Sequence, residues 1–83
     1  MTVPENTLTT TEYLKLDLFD NEENLYPCEL ILAVNKYEVT VESIKVEEGP
    51  RVPVKNLGPI FNNPSDDIID AIRKEYKQEI IFN

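Results

Sequence analysis

The sequence contains no histidine and no tryptophan, a single cysteine and only two glycines. Without histidine the usual acid/base group near neutral pH is missing, so any catalysis would rest on displaced carboxylates, a lysine, a tyrosine or Cys28. No nucleophile, metal or phosphate-binding motif surrounds these residues, and the chain reads as one without enzymatic activity or cofactor. A lone cysteine makes no intrachain disulfide, and no N-x-[ST] acceptor exists because Asn63 is followed by Pro64. Long hydrophobic runs are absent too. Nothing approaches the roughly 18 apolar residues of a membrane span, and Met1 to Thr11 is polar without Lys or Arg, so neither anchor nor signal peptide is expected. A reducing, cytoplasmic setting follows as the expectation.

Basic residues are scarce. Eight Lys and Arg stand against 16 Asp and Glu, a net charge of -8. Such a surface keeps a protein soluble and repels phosphate backbones and anionic lipid, which argues against direct nucleic-acid or membrane binding. It is read either as a solvated surface or as one complementary to a basic partner. The 83 residues, 41% of them hydrophobic and 29% charged, suit one small globular core. A domain of this size buries only about 60 to 65 per cent of its unfolded surface.

The chain is read as a flexible arm over 1–10 and a single domain over 11–83. From Tyr13 to Phe19, Leu14, Leu16 and Leu18 alternate with Lys15 and Asp17, the period-2 mark of a half-buried strand. Asp20 to Tyr26 is polar and ends at Pro27, which suggests a loop. Cys28, Leu30, Leu32 and Val34 then alternate on a second strand, whose reverse face carries Ile31 and Ala33. Asn35-Lys36 suits a two-residue type I′ turn into a third strand. Pairing Val34 with Tyr37, Leu32 with Val39 and Leu30 with Val41 would set apolar residues opposite each other. After Val41 the apolar set shifts parity to Ile44 and Val46, which calls for a bulge near Glu42 or Ser43.

Gly49, Pro50 and Pro53 take the chain out of the ladder into an extended edge in which no helix fits, and Ile60 and Phe61 are expected to return to the core. Asn63 is the expected N-cap and Pro64 the first helical position, with Asp66, Asp67 and Asp70 matching the positive end of the helix dipole. Ile68, Ile69, Ile72, Tyr76 and Ile80 recur at helical spacing and form the buried stripe. Ile80-Ile81-Phe82 either docks on this core as a short strand or packs on another subunit. The expected fold is α+β: a three-stranded antiparallel meander, with further short strands near 52–54 and 80–82, and one amphipathic C-terminal helix on one face.

Three local patterns resemble sites and are better read otherwise. Asp20, Glu22 and Asn24 alternate like the early ligands of a calcium loop, but the central glycine is absent and the twelfth position is Ile31. A solvated loop is the better reading, and the same holds for Glu47 and Glu48. Pro50-Arg51-Val52-Pro53 matches PxxP, yet its prolines are better understood as guarding a sheet edge. Cys28 falls on the core side of its strand with no basic neighbour, as a structural thiol does.

A helix covers only one face of such a sheet, which leaves Tyr13, Phe19, Ile31 and Ala33 on the other. With Glu22, Glu23, Glu47, Glu48 and Arg51 these are the candidate partner-binding residues. The expected function is a small acidic protein-binding module that occupies a partner's basic surface. One form of it is an inhibitor that imitates nucleic acid, of the phage antidefence type. The alternative is a homodimeric structural domain without catalytic activity.

Overall fold

The computed structural model describes residues 8–83, and the larger part of the expected arm, residues 1–7, lies outside them. Three long strands form an antiparallel meander: β1 (Thr10–Phe19), β2 (Leu25–Val34) and β3 (Glu38–Val46). Two short strands share the outer edge of β3. β4 (Arg51–Val52) pairs antiparallel with its C-terminal half, and β5 (Glu79–Phe82) pairs parallel with its N-terminal half. The single α-helix, α1 (Pro64–Arg73), lies between β4 and β5 in the chain. The α+β meander with one C-terminal helix is therefore the observed architecture.

Alternation decides the faces. Leu18, Leu30, Leu32, Val39, Val41 and Ile44 project to one side, where Ile68 and Ile72 of α1 meet them, and all eight are fully buried. Burial of this apolar surface is the dominant favourable term in folding. The β1–β2 ladder runs without interruption from Thr10–Val34 to Phe19–Leu25. The parity change in β3 is a bulge as expected: Leu32 faces Val41 but Ile31 faces Ser43, so Glu42 is the extra residue. Beyond it Glu29 lies between Lys15 and Lys45, a favourable order of charge.

The hairpin register differs from the expected one by two residues. Val34 pairs with Val39, Leu32 with Val41 and Leu30 with Ile44. The turn is built by the Asn35 side chain, whose Oδ1 accepts from the Tyr37 and Glu38 amides at 2.8 Å each, while the Asn35 amide donates to the Glu38 carbonyl at 3.0 Å. Asn35 thus acts through its carboxamide and not through the positive φ of a type I′ turn. A two-residue slip preserves side-chain parity, which is why the core face was still assigned correctly.

Between Pro50 and Asn63 the expected extended edge is only partly present. Arg51 and Val52 pair with Lys45 and Ile44 as β4, but Val54–Asn56 forms a 3₁₀ turn that buries Val54. Phe61 packs edge-on against Tyr26, with ring centroids 5.3 Å apart, whereas Ile60 stays exposed and does not reach the core. Asn63 occupies the N-cap of α1 in a left-handed conformation (φ 48°), and its side chain makes no capping bond. Its carbonyl accepts from Asp67 N instead. The helix ends at Arg73, so Tyr76 and Ile80 extend the apolar stripe from a turn and from β5. Gln78 secures that turn by donating from Nε2 to the Asn35 carbonyl at 3.1 Å. Ile80 then lies beside Val39, and the C-terminal apolar triplet docks in cis.

Candidate functional site

Two acidic loops define one end of the sheet. In the first, Asp20–Asn24, the Asp20 carboxylate accepts from the Glu22 amide (2.8 Å), the Asn24 amide (2.9 Å), Asn24 Nδ2 (3.0 Å) and the Tyr26 hydroxyl (3.0 Å). The Asn24 amide, followed by the Asn24 side chain, holds the Asp20 carboxyl below the usual carboxylate range. Asp20 is consumed in building the loop, while Glu22 and Glu23 project into solvent. In the second loop the Glu47 amide donates to the Pro27 carbonyl at 2.8 Å, which ties the end of β3 to the start of β2. Gly49 closes the turn because a Cβ there would stand 3.0 Å from the Val46 carbonyl oxygen.

The two loops flank the start of β2, where the Tyr26 hydroxyl donates to Asp20 of the first and the Pro27 carbonyl accepts from Glu47 of the second. The Tyr26 hydroxyl is pushed above the ordinary phenol range, first by its hydrogen bond to Asp20 and that carboxylate's charge, then by burial and by the charges of Glu47 and Glu22. On the face opposite α1, a depression of about 470 Å³ continues this acidic end, with Asp17, Glu29, Glu47 and Glu48 set against Lys15 and Lys45. Glu23 and Glu47 both hold positive φ, 65° and 54°. Glutamate is a costly occupant of that region, where glycine or asparagine would sit with less strain.

Arg51 has a different place from its acidic companions. It reaches across β3 to ion-pair with Glu29 through Nη2, and Nη1 donates to the Glu29 carbonyl at 3.3 Å. This is the only ion pair among the described residues, with both side chains about one-third exposed (30% and 32%). The carboxylates of Asp17, Glu22, Glu23, Glu47 and Glu48 have no cationic partner there.

The face opposite α1 does carry the expected apolar residues, but not as one patch. Tyr13 (64% exposed) lies opposite a half-buried Ile31, and Ala33 is one row further along. Phe19 (42% exposed) lies opposite Leu25 at the acidic end, and the Lys15–Glu29 and Asp17–Pro27 rows separate the two pairs. Leu25 was missed in the sequence because it stands in a polar run before Pro27. A second depression, about 530 Å³, runs between β1 and α1, with Leu14, Leu16 and Ala71 on its apolar side and Asp67, Asp70 and Lys74 along the helix.

Cys28 is buried, its Sγ 3.3 Å from the Tyr26 carbonyl, and burial pushes its thiol up to about 11. That removes thiolate nucleophilicity near neutral pH. No group of three or more His, Cys, Asp or Glu among the described residues is arranged to hold a metal ion. None of the described helices is long and apolar enough to cross a membrane. No family model matches the chain, no curated protein matches its sequence, and no solved structure matches its fold.

Proposed function

We propose that this chain is a small acidic protein-binding module that works by occupying a basic surface on a partner protein. The observation that carries the reading is that the 20–24 and 47–48 loops lie at the same end of the sheet, with Glu22, Glu23, Glu47 and Glu48 exposed and free of cationic partners among the described residues. Unneutralised charge concentrated at one end steers association with a surface of opposite sign and raises the on-rate. The positive φ of Glu23 and Glu47 supports it further, since both strained positions carry carboxylates where glycine or asparagine would relax the backbone. In the narrower form of the reading the carboxylates stand in for phosphates, and the partner is a nucleic-acid-handling protein that the module inhibits.

The test is side-by-side affinity capture with the wild-type chain and with a variant carrying Glu22→Lys, Glu23→Lys, Glu47→Lys and Glu48→Lys, with circular dichroism as the check on folding. Proteins retained by the wild type should be lost by the variant, and retention should weaken as salt rises. Duplex DNA should displace the retained protein in the narrower form. Equal retention by both chains would sink the reading.

A further inference from the structure

The margin of β1 away from β2 is closed at one end and open at the other. At the Phe19 end the segment before α1 covers it: Asn62 N donates to the Phe19 carbonyl at 2.9 Å, Asn21 N donates to the Ile60 carbonyl at 3.2 Å, and Asp20 bridges to Phe61. Asp20 N points the other way, to the Asn24 carbonyl. Such directions alternate residue by residue along an antiparallel ladder, and the β1–β2 ladder has no bulge, so the amides and carbonyls of Thr11, Tyr13 and Lys15 also face outward. Among the described residues nothing pairs with them there. The run from Thr11 to Lys15 is an unpaired edge without proline, as long as many strands.

α1 follows this run without covering it. The helix begins at Pro64, close to the Asn62 bond to Phe19, and just past its end the Tyr76 hydroxyl is pushed up by burial and then by the charge of Glu12, so α1 runs along β1 from the Phe19 end towards Glu12. Between the two lies the groove of about 530 Å³, with the half-buried Leu14, Leu16 and Ala71 as its apolar floor and Asp67 and Asp70 on its helix side. Neither carboxylate is held in an ion pair, since the only one among the described residues joins Arg51 to Glu29. Lys74 is the one cation that the helix brings to the groove, and Glu75 stands next to it. Glu12 shares the face of Leu14 and Leu16, so the charge along this margin is mainly negative.

We propose that the Thr11–Lys15 margin takes up an extended segment of a partner protein as an added edge strand, and that this segment carries arginine or lysine at alternate positions with β-branched residues between them. An antiparallel strand continues the direction in which the 60–62 segment already pairs with β1. Its side chains on the α1 face fall beside Glu12, Leu14 and Leu16. A long cationic side chain suits that place in both its parts: the alkyl stem covers the leucines and Ala71, and the charged head reaches Asp67, Asp70 or Glu12. The intervening side chains fall on the other face beside Tyr13, where a β-branched residue packs well against an aromatic ring. Main-chain bonds supply the affinity of such strand addition and the alternate side chains its selectivity. A second copy of β1 would offer the groove Glu12, Leu14 and Leu16 and no cation, so charge selects against it. The proposal goes beyond the acidic end of the sheet, uses other residues, and stands or falls separately from it.

The test is amide hydrogen exchange of the full chain followed by NMR, with a capped peptide of about seven residues that alternates arginine and valine as the probe. In the free chain the amides of Tyr13 and Lys15 should exchange fast, and those of Leu14 and Leu16, bonded to β2, slowly. The peptide should slow Tyr13 and Lys15 about tenfold or more. That protection should persist in the chain carrying Glu22→Lys, Glu23→Lys, Glu47→Lys and Glu48→Lys, which separates this margin from the acidic end. It should be lost in the Asp67→Asn, Asp70→Asn double variant with unchanged circular dichroism. The same peptide N-methylated at the amides that would pair keeps its charge but cannot donate, so it should protect nothing. This last arm uses the wild-type chain and decides the question whatever the double variant does to folding. Tyr13 and Lys15 amides that stay fast with the peptide overturn the proposal, as does equal protection by the N-methylated peptide. Protection that appears without peptide and grows with chain concentration overturns it too, and assigns the margin to a second copy.

Discussion

Ile72 is the sharpest probe of how α1 is held on the sheet. It is fully buried, within a core cluster shared with Leu18, Leu30 and Leu32. Ile72→Ala removes about three carbon groups at about 0.8 kcal/mol each, or about 2.4 kcal/mol of transfer free energy. Incomplete collapse of the resulting cavity adds about 1 kcal/mol, and the better helix propensity of alanine returns about 0.4 kcal/mol. The expected loss is therefore about 3 kcal/mol, a large share of the roughly 4 to 12 kcal/mol that holds a domain of this length together. With a urea slope of about 1 kcal/mol/M, the midpoint followed by far-UV circular dichroism should fall by about 3 M at fixed protein concentration. Ile69→Ala, at a half-buried position on the same helix, should cost less than half as much. A loss below about 1 kcal/mol for Ile72→Ala at unchanged slope would refute the packing of α1 through this residue.

Glu47→Gly should raise the melting temperature by a few degrees, because φ 54° suits glycine, while weakening capture of a basic partner; a lower melting temperature would contradict the strain argument. Asp20 has a lowered folded pKa, first through the Asn24 amide, so its stabilisation is present above the ordinary value of 3.8 and lost as pH falls through the folded value. Its carboxyl carbon, followed by NMR, should titrate with a midpoint below 3.8, and a midpoint at or above that value would show the loop is not built on this carboxylate. Cys28 has a raised folded pKa, so its contribution is full below the ordinary value of 9.0 and is lost as pH rises towards about 11. At pH 8 it should react with a disulfide reagent about 100-fold more slowly in the folded chain than in urea, and similar rates would contradict its burial.

Alternation within Tyr13–Phe19 and Cys28–Val34 was enough to assign the core face, and the parity break after Val41 narrowed the bulge to Glu42 or Ser43, of which Glu42 is the extra residue. Both signals are periodic and local, so they survive in sequence. What failed depended on atoms rather than on pattern. Asn35 built its turn with a side-chain oxygen, and Asn63 stood at the N-cap without using its side chain. The extent of α1 was over-read because Tyr76 and Ile80 continue its apolar stripe from other elements that pack on the same core. At the candidate site, the acidic residues were visible as runs, but their placement at one end of the sheet and the accession of Asp17 required the strand registers. Arg51 was legible in the sequence only as part of a PxxP pattern and as a candidate contact, whereas its ion pair with Glu29 depends on reaching across a strand.

The parallel pairing of β5 with β3 gives this small domain two tiers of assembly. The β1–β2–β3 meander joins strands that follow one another in the chain, but Val39 and Ile80 are brought together only after α1 has crossed the sheet. Contacts so distant in sequence carry a larger loop-closure cost and form late. Until β5 arrives, β3 offers an open edge over Glu38–Val41 to other chains. β5 therefore acts as a latch whose closing withdraws that edge from pairing outside the subunit.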